Sequence, residues 1–544
     1  MGFMKLKKNI SIMLVIGLMS STLIGCSNTS SDAGKSLDKE NARKANNELI
    51  AAVTSEPETG FDATDTGHGD MTSVFFSTLF KRNKNLGIEN DLAKSYEISE
   101  DRLTWTVKIR EDVKFTDGEN LTAEDVVYTY EIAKNSGSSI DLTMLDSVSK
   151  VDDYTVEFKL KNPQSTFIEK LATVGIVPKH AHNEGFSDNP IGSGPYKLVQ
   201  WDKGQQVIAE ANENYYGEKP SIKKLTMVFM DDDTAYAAVK AGEVDIASIP
   251  GSFAKEEVEG KKLIELDSIE TYGVAYPMEQ PGKTTSDGYP IGNAVTSDKT
   301  IRKALTYAID REELVEGILE GYGAPSSTGL EKMPWLNEET IIKPEEDGKI
   351  DEAKKMLEEA GWKDTNNNGT IDKNGVEAEF DLLYTDGKYR QELGLAYVEV
   401  AKKLGIKVNL ENRNWDTIVP EINSQAVLYG FGSGDPSEIY NLYSSKTFGV
   451  GVPWNNSGYY QNDKVDEYID KALQSEDEDS ALEYWKKAQW DGETGFSHMG
   501  DCAYTWFVNA GHLYLADEDL DIGTPVVQPH GGKVLYNITE WSWK

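Results

Sequence analysis

Cysteine and histidine are scarce. Only 2 cysteines and 6 histidines occur in 544 residues, which removes most of the ligand sets that zinc sites use. His180 and His182 flank Ala181, while His68, His498, His512 and His530 are scattered, and none shows His-Glu-x-x-His spacing. Pro178 and Asn183 place the first two in a loop, where a surface pair is expected rather than a metal site. Basic residues are also few: 55 Lys and Arg against 92 Asp and Glu give a formal charge of -37. A field of that sign repels nucleic acid and anionic membrane surfaces and attracts amines and cations at long range. No internal repeat occurs, and no nucleophile and base stand out as a catalytic constellation.

What is present is aromatic and apolar. Hydrophobic residues make up 39% of the chain, with 26 Tyr, 11 Trp and 16 Phe, as in a globular protein rather than a disordered one. The length predicts roughly three domain-sized units, one of them discontinuous. At the N-terminus, Lys5, Lys7 and Lys8 precede an apolar run from Ile10 to Met19, too short to span a bilayer comfortably, and then Leu23-Ile24-Gly25-Cys26. Those four residues resemble the lipobox of bacterial lipoproteins. The resemblance implies that residues 1–25 are a signal peptide and that Cys26 is acylated. An ordinary signal peptide or a short membrane anchor are the alternatives. With Cys26 acylated, Cys502 has no partner, and its neighbours Tyr504, Trp506 and Phe507 predict a buried structural thiol. Residues 26–47, rich in Ser, Asn, Asp and Lys, are expected to be a flexible tether.

The body should begin near Glu48, with a strand over Leu49 to Val53. Leu103, Trp105, Val107 and Ile109 alternate with polar residues and predict a half-buried strand, and Thr122 with Asp125 predicts a capped helix. Tyr196, Leu198, Val207 and Ala209 alternate around Asp202-Lys203-Gly204, which predicts a hairpin. Asp233 or Thr234 should cap a helix over Ala235 to Ala241. Beyond Pro250 helices lengthen: Ile301, Ala304, Leu305 and Ala308 share one face, and Asp310 with Glu313 caps a second helix. Phe380 to Tyr384, Arg390 to Leu404 and Ile406 to Leu410 read as a parallel strand–helix–strand unit.

Three blocks carry a resemblance: 191–201 (IGSGPYKLVQW), 212–229 (NENYYGEKPSIKKLTMVF) and 238–246 (AVKAGEVDI). In that order and spacing they resemble the extracytoplasmic solute-binding proteins of ABC importers, family 5, which includes oligopeptide, dipeptide and nickel receptors. Segments 113–130 and 301–325 resemble the same family. Gly192-Ser193-Gly194 is not a phosphate loop, because Pro195 and a strand follow where a helix N-terminus would be needed. The resemblance implies an α/β, two-lobed fold of the class II periplasmic-binding-protein type with a hinge. Lobe I would comprise 48–270 plus 508–544, with a subdomain at about 90–190, and lobe II 271–507.

By that resemblance the chain is a lipid-anchored monomer at the extracytoplasmic face. It would touch the membrane only through its anchor and deliver a small-molecule solute to an ABC permease. Peptide is the first expectation for cargo and a nickel or other metal chelate the second, with no cofactor required and no catalysis. A secreted hydrolase and a purely structural adhesin are the rivals from other classes. His68 is expected where the family's cleft begins, with a simple turn residue as alternative. Tyr272, Trp415, Phe431, Ser433, Trp454 and Asn455 are the remaining ligand candidates, and core packing is the alternative for the aromatics. In the peptide receptors an aspartate before the matching Pro pairs with the peptide's amine. Aligned on Pro436, Gly432 takes its place, and Phe448 takes that of the nickel receptor's histidine. Asp435, Pro436 and Glu438 read as N-cap, N1 and N3 of a helix. The expectation is therefore a ligand held by aromatic stacking and neutral hydrogen bonds, without a buried ion pair. Finally, Asp364, Asn366, Asn368, Thr370 and Asp372 match a calcium loop that lacks its bidentate Glu, since Gly375 stands there and Glu377 comes two residues late. A plain Asn-Gly turn is the alternative.

Overall fold

Gly192 and Gly194 lie where two backbones touch. A Cβ on either would overlap the backbone of Phe75, whose carbonyl accepts the Gly194 N–H at 2.9 Å. From that contact the chain enters the strand Tyr196–Asp202, turns at Gly204 (φ +74), and returns antiparallel as Gln206–Ala211. Tyr196, Val207 and Ala209 are buried, and the Tyr196 hydroxyl donates to the Ile222 carbonyl at 3.0 Å. The computed structural model describes residues 39–57, 59–65, 71–136 and 140–544. The signal segment 1–25, Cys26 and His68 lie outside the described residues.

The hairpin forms one edge of a seven-stranded sheet. Its order continues through Lys224–Phe229, Glu48–Val53, Ile246–Ser248 and His512–Asp517 to Lys261–Leu266. Glu48–Val53 pairs in parallel with Lys224–Phe229. The helix Asp232–Lys240 is capped by Asp231, whose Oδ1 accepts the Thr234 N–H at 2.8 Å, rather than by Asp233 or Thr234. Asp231 is the residue with extended backbone, and only such a residue can turn its carboxylate back onto the first free N–H groups.

A second, six-stranded sheet has the order Gly323–Pro325, Tyr504–Ala510, Thr271–Ala275, Ala426–Phe431, Glu379–Tyr384 and Lys407–Asn412. Glu379–Tyr384 and Lys407–Asn412 are parallel and joined by the helix Arg390–Lys403. A four-stranded antiparallel sheet, Ala93–Ile98, Thr104–Ile109, Thr155–Leu160 and Leu145–Asp152, forms the extra subdomain with its own apolar core around Trp105, Val107, Tyr130 and Phe158. In it Asp125 Oδ2 accepts the Thr122 N–H at 2.9 Å.

The chain leaves the seven-stranded sheet after Leu266, crosses at 267–270, and enters the second sheet at Thr271. It returns through Gly511 alone, between Tyr504–Ala510 and His512–Asp517. Val508, Asn509 and Ala510 therefore pair in the second sheet, and the return falls at 511 rather than at about 508. The tether expectation also changes for its described part. Residues 39–45 are helical and docked. Arg43 reaches the buried Asp245 at 2.7 Å and Lys44 the buried Asp517 at 2.8 Å, while Lys261 meets Glu40 at 3.1 Å. Burial weighs most on the Asp517 carboxyl, but its hydrogen bonds to Glu40 and Lys44 still hold it well below the usual range. A polar composition reads as unstructured only while its charges lack partners, and the lobe supplies them.

Candidate functional site

A cleft of about 2030 Å³ lies between the lobes. That exceeds the roughly 300–1,000 Å³ of ordinary small-molecule pockets and leaves room for an extended solute. The floor is the hinge. There the buried Glu270 carboxylate receives the Tyr272 hydroxyl at 2.5 Å and lies 2.6 Å from His512 Nε2 and 3.1 Å from His530 Nδ1. The Gly531 N–H adds a weaker bond at 3.3 Å. Burial works to raise the Glu270 pKa, yet the hydrogen bonds and charges of His512 and His530 outweigh it and hold the carboxyl well below its ordinary value. Burial first, then the Glu270 charge, pushes the Tyr272 hydroxyl far up, so it stays a donor. The C-terminal segment laces this floor: Gln528 accepts from Ile269 N–H at 2.9 Å, and the His530 N–H donates to the Gly432 carbonyl at 2.9 Å.

Two lysines cross the cleft in opposite directions. Lys170, on the subdomain helix Phe167–Leu171, reaches Asp435 of lobe II at 2.8 Å. Lys388, on the loop before Arg390–Lys403, reaches Asp232 of lobe I at 3.4 Å and donates to Ser248 Oγ at 2.7 Å. Burial opposes ionisation of Asp435, but the Lys170 ammonium beside it wins and lowers its pKa; at Asp232 burial wins over Lys388 and the pKa is raised. Ser165 adds a direct interlobe bond, its N–H to the Leu473 carbonyl at 2.7 Å.

The wall of lobe II holds the Gly430–Pro436 segment. The helix here is Ser437–Tyr443, with Asp435 Oδ1 accepting the Ser437 N–H at 2.8 Å. The cap position falls on Pro436 rather than on Asp435, so Pro436 is not N1 and Glu438 not N3; Asp435 still bonds the first helical N–H from one position earlier, and with its other oxygen carries the ion pair to Lys170 that sequence spacing did not show. Glu438 turns back so that its carboxylate accepts the Ser433 N–H at 3.3 Å, with the Gly432 N–H also directed at it. Burial dominates there and pushes its pKa up to about 7.

Tyr272 and Ser433 line the cleft. Trp415, Phe431, Trp454 and Asn455 are not among its lining residues. Instead Trp415 packs on Tyr429 and Trp454, with centroids at 5.9 and 5.6 Å, and Phe431 lies against Tyr429 and Trp506 at 5.1 and 6.1 Å. These half-buried rings pack against the core on one face of the second sheet, and Asn455 bonds the nearby Val450 carbonyl at 2.9 Å. Phe448 stacks on Tyr459 at 4.5 Å. The residues that sequence reasoning missed are Glu270, His512, His530, Lys170, Lys388, Asp232 and Glu438. The ion-pair partners stand up to 265 positions away, so no spacing announces them, while Glu438 bonds the nearby Ser433 N–H and is set apart only by its burial.

His180 and His182 do not share a partner: the first meets Asp117 at 2.7 Å and the second Asp62 at 2.8 Å. Cys502 is buried beside Thr306, and burial raises its thiol pKa. In the 364–372 loop, Asp364 accepts from the Asn368 and Gly369 N–H groups at 3.1 and 2.9 Å, and Asp372 from Thr365. Thr370 donates its N–H to Asn368 Oδ1 at 2.8 Å. Glu377 folds back onto the amides of Asn366 and Asn368 at 2.7 and 2.8 Å. Among the described residues no group of three or more His, Cys, Asp or Glu is placed to hold a metal ion, and no helix is long and apolar enough to cross a membrane.

Two lobes, two crossings and a cleft between them define a hinged solute-binding protein. The profile of the bacterial extracellular solute-binding proteins, family 5, matches residues 87–451, and the chain belongs to that family. It is 34% identical to Protein XP55 of Streptomyces lividans over 86% of this chain and 85% of that one. It is 29% identical to the oligopeptide-binding protein AppA of Bacillus subtilis over 98% and 97%. The fold is similar to NikZ from Campylobacter jejuni in complex with Ni(L-His), with a TM-score of 0.79 and 25% identity over 91% of this chain and 99% of that one. It is also similar to B. subtilis AppA in complex with a nonapeptide, with a TM-score of 0.74 and 27% identity over the same shares. Members of this family are binding components of ABC importers.

Proposed function

We propose that this protein is the receptor of an ABC importer for oligopeptides or dipeptides, held at the extracytoplasmic membrane face by an acyl chain on Cys26. The observation that carries the cargo reading is the 2030 Å³ interlobe cleft, sized for an extended chain rather than a single small metabolite. The likeness to AppA, whose structure holds a nonapeptide, supports it. A metal chelate is the second reading, supported by the likeness to NikZ with Ni(L-His). The lobes close on the solute about 267–270 and Gly511, and a permease partner takes it up. A thermal-shift screen against peptides, nickel with histidine, and sugars separates the readings, since a ligand at a hundredfold its Kd adds about 2.7 kcal/mol. Stabilisation by peptides alone is expected; stabilisation by nickel with histidine alone shifts the cargo to a chelate. For the anchor, Cys26→Ser should release the protein from membranes, and unchanged retention after a high-salt wash would refute acylation there.

A further inference from the structure

Lobe II rests the ends of two helices on the small subdomain. The helix Asp463–Leu473, like any other, leaves its last carbonyls short of partners inside the helix. Ser165 of the subdomain brings two donors to that end, its N–H to the Leu473 carbonyl at 2.7 Å and its hydroxyl to the Ala472 carbonyl at 3.0 Å. Arg102 Nη1 donates to the Gln474 carbonyl at 2.5 Å and sets a cation at the negative end of the helix. Arg102 stands in the turn between Ala93–Ile98 and Thr104–Ile109 with φ +58, a left-handed conformation that a residue with a side chain keeps only when its surroundings hold it there. The second grip is at the other kind of helix end. Lys170 meets Asp435 at 2.8 Å, and the other oxygen of Asp435 accepts the first N–H of the helix Ser437–Tyr443. Lys170 and Asp435 line the cleft, whereas Arg102, Ser165, Ala472, Leu473 and Gln474 are not among its lining residues.

We infer that the subdomain is a latch, which grips the ends of two lobe II helices independently of the solute and so supplies part of the free energy of lobe closure. The bonds at Ala472, Leu473 and Gln474 run from protein to protein outside the cleft, so they form in the same way whichever solute is held. Opening the lobes returns three carbonyls, a guanidinium and a desolvated ion pair to water, and closing recovers their bonds. The inference goes beyond the cargo reading, since it gives the subdomain a role that no cargo decides. A closing equilibrium already tilted by the protein leaves the solute less to supply, and a weaker latch lowers the apparent affinity for every solute by the same factor.

Native-state hydrogen exchange tests this on full-length protein dialysed in mild denaturant to strip carried-over solute, because the Ser165 N–H is shielded only while it bonds Leu473. With no solute added, the wild-type Ser165 amide should exchange about tenfold or more slowly than an unprotected one. Arg102→Gly together with Lys170→Met should speed it by about tenfold, the loss expected for hydrogen bonds to charged groups. Glycine adopts φ +58 without strain, so the turn keeps its shape, and amides in Thr104–Ile109 and Thr155–Leu160 should stay protected as the sign of a folded subdomain. A wild-type Ser165 amide that exchanges freely, or is shielded only after a pool of synthetic tetra- to hexapeptides is added, overturns the latch and leaves the receptor reading intact. Unchanged Ser165 exchange in the double variant overturns it too, since Arg102 and Lys170 then hold nothing closed. Should the double variant unfold the subdomain, Arg102→Gly alone decides, with a faster Ser165 amide supporting the latch and an unchanged one overturning it.

Discussion

The hinge and the lobe II wall each bury acids, but they treat them in opposite ways. At the hinge, Glu270 is surrounded by Tyr272, His512 and His530, and the site holds it ionised. On the wall, Asp435 is matched by a lysine from the other lobe, while Glu438, three residues on, meets only backbone donors and is held near neutrality's edge, at about 7. A matched buried charge maintains shape. An unmatched one costs stability.

The largest effect should come from breaking the matched site. Glu270→Ala leaves two imidazoles and a tyrosine hydroxyl without their acceptor and should cost about 3 kcal/mol or more in chemical denaturation. Because the folded Glu270 pKa is depressed, its contribution is present above the unfolded value near 4.5 and is lost as pH falls through the folded one. Glu438→Gln should have the reverse sign. Its folded pKa is raised from 4.5 to about 7, so the wild type loses stability as pH rises across that window. The variant should match wild type near pH 4.5 and be more stable above pH 7, by on the order of 2 kcal/mol. Equal melting of the two proteins at pH 8 would erase the contrast between wall and hinge.

A smaller effect is expected at the interlobe pair. Lys170→Asp should weaken closure by about 1–2 kcal/mol and raise the radius of gyration in small-angle scattering, and adding Asp435→Lys should bring both partly back. Added peptide should shrink the wild-type radius, and identical profiles at saturation would count against closure. Smallest of all is the 364–372 loop. Glu377 already bonds the Asn366 and Asn368 amides, so millimolar calcium should leave Tm within about 1 °C; a larger rise would make it a cation site.

Sequence patterning made the framework legible. Alternation found the hairpin 196–211, and helical spacing found the helix Lys299–Ala308. Gly192 and Gly194 marked a close approach, though only the structure shows that the neighbour is Phe75. Aromatic spacing misled, because Trp415, Phe431 and Trp454 find one another and the sheet beneath before they find the cleft. An aromatic ring gains as much from packing as from a ligand, and composition cannot separate the two.

By itself the sequence determined which stretches become strands and helices, where the turns fall, and to which family the chain belongs, because those depend on periodicity and on short-range backbone chemistry. The charge of the cleft was decided only by the tertiary structure. Whether a carboxylate is paired depends on what the fold brings within a few ångströms. Glu270 meets His512 across 242 positions and Lys170 meets Asp435 across 265, while Glu438 is brought into the cleft with an ion pair to none of the described residues. Coulomb attraction and desolvation act on distance in space, not distance along the chain, so the same acidic residues read alike in sequence and part company only once folded.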